Sequence, residues 1–341
     1  MLTYEEFIRE NRHIISSGNT LAIVCNTKNN TIETNTYNGF SIKTEFLSDS
    51  ELQEIGKMAL TQKIPFRVFY DEKDFLKNLL STITDFSRLI VYNSAQNGIG
   101  PGRKALIPSI CKYFGIRYTG SDPYRVCLCR DKYAINAILS KAGFKVPQSV
   151  LYCPREFPSL CTKKKYIAKP LYESSSLGIR DKNVFIGENA PFSYLKDLST
   201  TMKQPLLIQE FISGYELEVP VLVGEKSIFS FPPVVLHRKN GLIMGDEILD
   251  YDKIYNDDYY FGDLPIQYDC GPICQTAEKV AEILCLKGLC RIDFRMKENG
   301  EFYITDVSTN PHFIHHSSVN YAFLRYGLTD SDIFSTILSL S

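Results

Sequence analysis

The stretch CRIDFRMKENGEFYITDVSTNP, Cys290 to Pro311, decides how this sequence is read. Two β-rich runs flank Asn299-Gly300, the strongest short hairpin signal a sequence carries. A two-residue turn there sets Asp293 opposite Asp306 and Arg291 opposite Ser308. Side chains alternate with period two along a strand, so these four share one face. Ile292, Phe294 and Met296 take the other face, with Tyr303, Thr305 and Val307 opposite them.

Two carboxylates facing each other across a ladder repel. Protonating one, neutralising both with Arg291, or binding a cation would relieve them. Hard divalent ions take carboxylate oxygens, and Mg²⁺ often keeps phosphate oxygens as further ligands. The face is therefore either a metal site or a solvated strand face with Arg291 as its counter-ion.

Outward from the hairpin, the chain changes character along its length. From Thr20 to about Gly120, the strand-like runs Leu21–Cys25, Phe66–Tyr70 and Arg88–Tyr92 alternate with helical spacing at Ser48–Thr61, Asp71–Ile83 and Lys104–Phe114. That alternation predicts a parallel sheet with flanking helices. Asp122–Ala142 reads as one helix, closed by Gly143 with Pro147 beyond it. Strand-like runs then dominate: Tyr166–Pro170, Asn183–Gly187, Leu206–Phe211, Glu216–Val223 and Ser227–Leu236. Few crossover helices separate them, so this half is α+β. Asp246–Asp263 is acidic and Tyr-rich and reads as a surface loop, and helices follow near Gln275–Leu286, Val319–Tyr326 and Asp330–Leu338.

Composition narrows the function. The 341 residues carry 38 basic and 39 acidic side chains, a formal charge of −1, which gives no electrostatic footprint for nucleic acid or an anionic membrane. No run approaches the ~20 consecutive apolar residues of a membrane helix, and MLTYEEFIRE lacks the basic start of a signal peptide. A cytoplasmic protein is expected, with its ten Cys as thiols. Cys127-x-Cys129, Cys270-x₃-Cys274 and Cys285-x₄-Cys290 lack the paired C-x₂-C spacing of a zinc site.

From Tyr113 to Ser318 the residues resemble the D-alanine–D-alanine ligase family of ATP-grasp enzymes. FGIRYTGSDPY (Phe114–Tyr124), RDK (Arg130–Lys132), IAKPLYESSSLGI (Ile167–Ile179), LLIQEFISGYELEVPVL (Leu206–Leu222), and the hairpin with its Asn-Pro turn through His315–Ser318 occur in the family's order. The resemblance implies an ATP-grasp fold, α/β and α+β, preceded by a small parallel-sheet (pre-ATP-grasp) domain. The divisions expected are residues 1–118, 119–210 and 211–341, the last holding the metal-binding hairpin.

The resemblance also implies roles. Lys132 and Lys169 match lysines that contact ATP phosphates, a task suited to a compact ammonium on a flexible stem. Glu173 to Gly178 match the phosphate-covering loop, with Ser174 in place of the usual glycine; Ser176 resembles a phosphate ligand and Ser175 a serine near the substrate. Gln209, Glu210 and Ile212 match the segment whose backbone reads adenine, and Glu216 the acid that holds the ribose hydroxyls. Asp293, Asp306 and Ser308 match the Mg²⁺ ligands, where the family usually has Asp, Glu and Asn; the shorter Asp306 and the neutral Ser308 imply one good and one impaired position, unless Asn310 supplies a ligand. Arg291 matches the arginine that stabilises the tetrahedral intermediate, and His312 stands where a glycine donates its backbone N–H. In the acidic loop Tyr255 is retained, whereas the lysine appears at Lys253, one place early, with Ile254 in its position. His316 and Ser317 match residues near the second substrate.

The N-terminal half departs from the family. Its glycine-rich stretch with a substrate-binding Glu is absent after Leu21–Cys25, where NTKNNTIETN stands, and NGIGPGRK replaces the His-Gly segment near Asn97. The expectation is an ATP- and Mg²⁺-dependent carboxylate–amine ligase acting through an acyl phosphate on a first substrate other than D-alanine, the alternative being an ATP-binding protein impaired in catalysis. Small-molecule carboxylate and amine substrates are the expected partners, with a homodimer left open.

Overall fold

The computed structural model describes residues 2–341 except 14, 16, 17, 35, 36, 83, 84 and 257, with the backbone alone at 82 and 255. Helix α1 (Tyr4–Asn11) starts at a Thr3–Glu6 capping box, and its apolar Phe7 is fully buried. The first sheet follows, from β1 (Thr20–Cys25), β2 (Phe66–Phe69), β3 (Leu89–Ser94) and β4 (Arg117–Tyr118) in the order β2-β1-β3-β4, all parallel. Its crossover helices are α2 (Asp49–Thr61), α3 (Glu72–Thr82) and α4 (Leu106–Phe114). Gly115 ends α4 at φ +67°, the left-handed conformation glycine adopts without Cβ strain.

The helix expected over Asp122–Ala142 is two: α5 (Pro123–Arg130) and α6 (Lys132–Lys141). Asp131 is extended between them, and its side chain caps α6 by accepting from the Ala134 N–H. The break places Lys132 at the first position of a helix. Strands β5 (Ser149–Tyr152), β6 (Lys165–Pro170), β7 (Val184–Ile186) and β8 (Leu206–Glu210) then form an antiparallel sheet, order β5-β8-β6-β7, with α7 (Phe192–Thr201) packed on it.

The third sheet takes β9 (Tyr215–Val223), β10 (Ile228–Ser230), β11 (Val234–Arg238), β12 (Tyr259–Asp263), β13 (Gly288–Met296) and β14 (Phe302–Ser308) in the order β12-β11-β9-β13-β14, with β10 on β9. Pro232-Pro233 splits the single run read over Ser227–Leu236, because proline cannot donate to a ladder. The acidic segment holds helix α8 (Tyr251–Tyr255) and ends in β12 rather than remaining a loop. α9 (Gly271–Ile283) covers one face; α10 (Ser318–Arg325) and α11 (Asp330–Ser339) close the chain.

The deciding hairpin reaches the expected register by another route. Lys297 N–H donates to Glu301 O at 2.8 Å and Gly300 N–H to Lys297 O at 2.9 Å, so the turn holds three residues, with Gly300 at φ +84°. A β-bulge between Asp293 and Phe294 then absorbs Thr305. The two shifts cancel: Asp293 faces Asp306 and Arg291 faces Ser308. Between them Phe294 faces Ile304 and Met296 faces Phe302, so the expected pairing with Tyr303 and Thr305 is corrected.

One apolar core crosses the molecule. Leu21, Ile23 and Ile90 of the parallel sheet pack with Phe7, Leu222, Phe313, Phe323 and Phe334, so the C-terminal helices close the N-terminal sheet. All ten cysteines are free thiols, five of them buried, and among the described residues no helix is long and apolar enough to cross a membrane.

Phe231 is fully buried, with its ring 4.4 Å from Phe323 and 5.1 Å from both Phe229 and Tyr326. Phe231→Ala should cost about 3–5 kcal/mol in urea denaturation, the range for emptying a close-packed aromatic site.

Candidate active site

A cavity opens where the two antiparallel sheets meet the serine loop. Its walls include Lys132, Lys169, Ser174, Ser175, Ser176, Gln209, Ile212, Glu216, Glu218, Arg291, Arg295, Thr305 and Asp306. Three carboxylates lie in a row across neighbouring strands, Glu218 opposite Asp293 and Asp293 opposite Asp306.

Arg291 answers two of them. Its Nε and Nη2 donate to both oxygens of Asp293, at 2.7 and 2.9 Å, and Nη1 lies 2.9 Å from Glu218. Burial pushes the Asp293 carboxyl up, and the neighbouring Asp306 adds to this against the opposing pull of Arg291. Burial likewise lifts Glu218 to about 7 despite Arg291. Asp306 goes the other way: burial raises it, but Lys132, Lys169 and the Val307 N–H together bring it below its ordinary value. Lys132 Nζ is 3.9 Å from Asp306 and donates to the Glu173 carbonyl. Burial lowers Lys169, with Asp306 opposing and Lys132 reinforcing the shift. Arg295, 3.1 Å from Glu216, makes a fourth cation in this wall and lies over the Phe211 ring. Four cations thus stand against Glu216, Glu218, Asp293 and Asp306.

The serine loop is a tight turn. Ser175 and Ser176 both take positive φ, 51° and 50°, and Gly178 sits at +81°. Left-handed backbone at a residue with a Cβ costs of order 1–3 kcal/mol. A Cβ on Gly178 would also come within 2.8 Å of Pro170 Cγ. The Ser176 hydroxyl donates to the Leu249 carbonyl, and Tyr251 N–H donates to Ile179 O at 3.1 Å, so the acidic segment lies over the loop.

Gln209 is 1% exposed and lines the cavity with its Nε2 lacking a hydrogen-bond partner among the described residues. Leaving a buried donor unmade costs about 1–3 kcal/mol, which a ligand acceptor in the cavity would recover. Beside it, the Glu210 side chain pairs with Lys164 at 2.9 Å, and its N–H donates to Gln148 O at 2.8 Å.

Other expected residues are placed elsewhere. Lys253 Nζ donates to Ile248 O at 3.0 Å in its own segment, and Ile254 lines the cavity instead. The Tyr255 side chain lies outside the described residues. His312 Nε2 turns to Glu51 of α2, 3.1 Å away, and His312 is not part of the cavity lining. His316, at φ +60°, packs its ring 4.8 Å from Tyr259, and Ser317 caps α10 by accepting from Asn320 N–H at 3.1 Å. Ser308 is outside the cavity lining, and the Asn310 amide donates to Asn93 O at 2.9 Å. Glu173 lines the cavity, but its carboxylate is spent on Tyr37, Arg103 and Gln204. Glu218, Arg295 and Thr305 were not singled out from sequence. The alternation Glu216, Glu218 on one strand and Arg291, Asp293, Arg295 on the next puts all five on the cavity face, and was available to be read.

The residues fit Mg²⁺ in one specific sense. Among the described residues no three of His, Cys, Asp and Glu form a metal cluster. An all-protein cage is thus not offered, whereas Mg²⁺ commonly uses one or two carboxylates and completes its shell with phosphate oxygens and water. Asp293 and Asp306 supply that pair.

The family model described as D-ala D-ala ligase C-terminus matches residues 159–339. The chain belongs to the D-alanine–D-alanine ligase family of ATP-grasp ligases. Similar proteins include the D-alanine–D-alanine ligases of Thermoanaerobacter sp. (strain X514) and Thermoanaerobacter pseudethanolicus, each 26% identical over 271 residues, 71% of this chain and 71% of theirs. Two crystal structures of the Bacillus anthracis D-alanine–D-alanine ligase share the fold: the complex with ATP at TM-score 0.69 and 14% identity, the other at 0.66 and 15%, each covering 94% of this chain and 96% of that one.

Family membership leaves the Glu51–His312 pair to this chain's own physics. Burial raises the Glu51 carboxyl, but His312 and the Ser48 N–H overcome it and hold Glu51 at about 2, below its ordinary 4.5. A depressed carboxylate stabilises fully above its unfolded pKa and loses that contribution as pH falls toward the folded one. Glu51→Gln should therefore be less stable than the wild type at pH 6, with the gap narrowing between pH 4.5 and pH 2 in urea melts.

Proposed function

We propose that the protein is an ATP-dependent carboxylate–amine ligase that forms an acyl phosphate on a first substrate other than D-alanine. The observation that carries this is the in-register pair Asp293 and Asp306, set beneath Lys132 and Lys169 in a cavity roofed by the serine loop. The nucleotide would lie along Gln209 to Ile212, with Gln209 Nε2 and Glu216 as polar contacts and Phe211 as an apolar face.

Lys132 and Lys169 are placed to neutralise charge on a transferring phosphoryl group, where positioning and electrostatics do most of the work. Mg²⁺ held by Asp293 and Asp306 would supply Lewis-acid polarisation of phosphate oxygens. Ser175 and Ser176 bring hydroxyls and left-handed backbone to the same end of the cavity. Arg291, held on two sides by Asp293 and Glu218, presents a fixed cation for the oxyanion formed when an amine attacks the acyl phosphate. Ile248, Leu249 and Ile254 add apolar cover that excludes water from a hydrolysable intermediate. The rewritten region after β1 supports a first substrate other than D-alanine.

The protein incubated with ATP, Mg²⁺ and pooled amino and carboxylic acids should release ADP with at least one pool and yield a product whose mass is the sum of two components less water. ATP bound without ADP release from any pool would instead make it an impaired nucleotide-binding protein. Asp293→Asn should remove the Mg²⁺ dependence of nucleotide binding, and Lys169→Met should weaken nucleotide binding about tenfold or more, both read by calorimetry. Unchanged binding in both variants would place the nucleotide elsewhere.

A further inference from the structure

A second group of charges shares a wall with the cavity and has no part in the chemistry above. Glu45 ends a short 3₁₀ helix (Ile42–Glu45), Arg103 and Lys104 lie in another (Arg103–Ala105), Arg130 ends α5, and Glu173 opens the serine loop. Arg103 Nη2 bridges Glu45 and Glu173, the latter at 2.9 Å. Lys104 Nζ is 3.1 Å from Glu45, and Arg130 reaches Glu173 at 3.5 Å and Glu45 at 3.7 Å. The Ser174 hydroxyl joins them, accepting from Arg130 at 3.0 Å and Lys104 at 3.3 Å and donating to Glu45 at 2.8 Å. Side-chain exposure is 1% for Glu45, Glu173 and Arg103, 8% for Arg130 and 19% for Lys104.

Three cations therefore face two carboxylates. In the neighbouring wall four cations stand against four carboxylates, of which Asp306 also acts on Arg130. A buried, uncompensated charge is unfavourable, and proteins seldom keep one without a use. Two further observations agree. Arg103 Nε and Arg130 Nε are buried without hydrogen-bond partners among the described residues, so the group has spare donors as well as spare charge. Burial, reinforced by the two guanidinium groups against the pull of Glu45, holds Lys104 down at about 8. Lys104 is the member that solvent reaches, and Glu173 and Ser174 belong both to this group and to the cavity wall. The cations themselves stand behind the lining, and Lys104 and Arg130 reach it through the Ser174 hydroxyl, at 3.3 and 3.0 Å.

We propose that Lys104, backed by Arg103, Arg130 and the Ser174 hydroxyl, binds a second anionic group on the carboxylate substrate, so that the ligase takes an acidic substrate, a dicarboxylate or a phosphorylated carboxylate. The inference rests on the ligase reading for the word substrate, but binding can be measured without turnover. The competing role is purely structural: the same side chains bolt the N-terminal sheet to the serine loop. Lys104→Met separates the two, because it leaves Arg103 and Arg130 still bridging both carboxylates.

Calorimetry on the full chain, with saturating Mg²⁺ and a non-hydrolysable ATP analogue, should use matched probes: succinate and glutarate against propionate and butyrate, and phosphoglycolate against glycolate. The wild type should bind the dianion of at least one pair about tenfold or more tightly than its monoanion, as one charge-assisted contact provides. Lys104→Met should erase that preference without lowering the ligand-free melting temperature, and Lys104→Arg should keep most of it. The pair that shows the preference identifies carboxylate or phosphate as the second group. Equal binding within every pair, or a preference that survives Lys104→Met, overturns the proposal, as does a destabilised Lys104→Met with the preference intact. ADP release on monocarboxylates alone would leave the ligase reading standing and this inference refuted. A Lys104-dependent dianion preference with no ADP release from any pool would do the reverse.

Discussion

The cavity is organised by a repulsion. Glu218, Asp293 and Asp306 stand side by side on three adjacent strands, where alternation fixes their side chains on one face and leaves no local escape. Such a row is tolerable only if cations come to it, and they arrive from three different elements. Arg291 and Arg295 come from β13, Lys132 from the first turn of α6, and Lys169 from the far sheet. Removing one partner of a buried charge pair typically costs about 3–5 kcal/mol because the other charge is left alone. The carboxylate row thus holds two sheets and a helix in mutual register, and the same charges make the surface suited to phosphate and metal.

Much of this was legible in the sequence because it depends on local rules. Alternation and the Asn-Gly signal placed Asp293 opposite Asp306, although the turn has three residues and Thr305 is bulged. The bulge was itself written in the sequence: the apolar side chains Phe302, Ile304 and Val307 are spaced by two and then by three, a phase slip that a regular strand cannot bury. The break between α5 and α6 was written too, in Asp131, a capping residue inside an apolar period. Both signals are weak alone, and both acquire meaning only when the residue that follows, Asp306 or Lys132, has a reason to be aimed.

What was not legible depends on partners distant in the chain. His312 lies near the hairpin in sequence, yet its direction is decided by Glu51, which is more than two hundred and fifty residues away. Lys253 reaches two acceptors in its own segment, Ile248 O and Asp250, while Ile254 takes the cavity side. Glu173 reads as part of a flexible phosphate loop and is instead among the most buried acids in the molecule, because Arg103, Tyr37 and Gln204 converge on it. Resemblance carried these residues to the right neighbourhood. Side-chain direction follows from charge and packing supplied by other parts of the fold.

Ser174 shows how a departure from the family pattern can be read physically. A serine where glycine is usual suggests a stiffer loop, and the structure gives the stiffness a mechanism. Its hydroxyl is a shared hydrogen-bond partner of Arg130, Lys104 and Glu45, so the loop is fastened to the N-terminal part of the chain at that residue. Two residues on, Ser176 fastens it to the acidic segment through Leu249. The left-handed backbone at Ser175 and Ser176 lies between those attachments, which is where strain can be sustained, because both ends are fixed. A glycine at 174 would keep the turn and lose the first attachment. Glu173, held by Tyr37 and Arg103, would then be the loop's remaining tie to that part of the chain. The residue that breaks the family pattern thus joins Glu173 in coupling the rewritten N-terminal region to the nucleotide half.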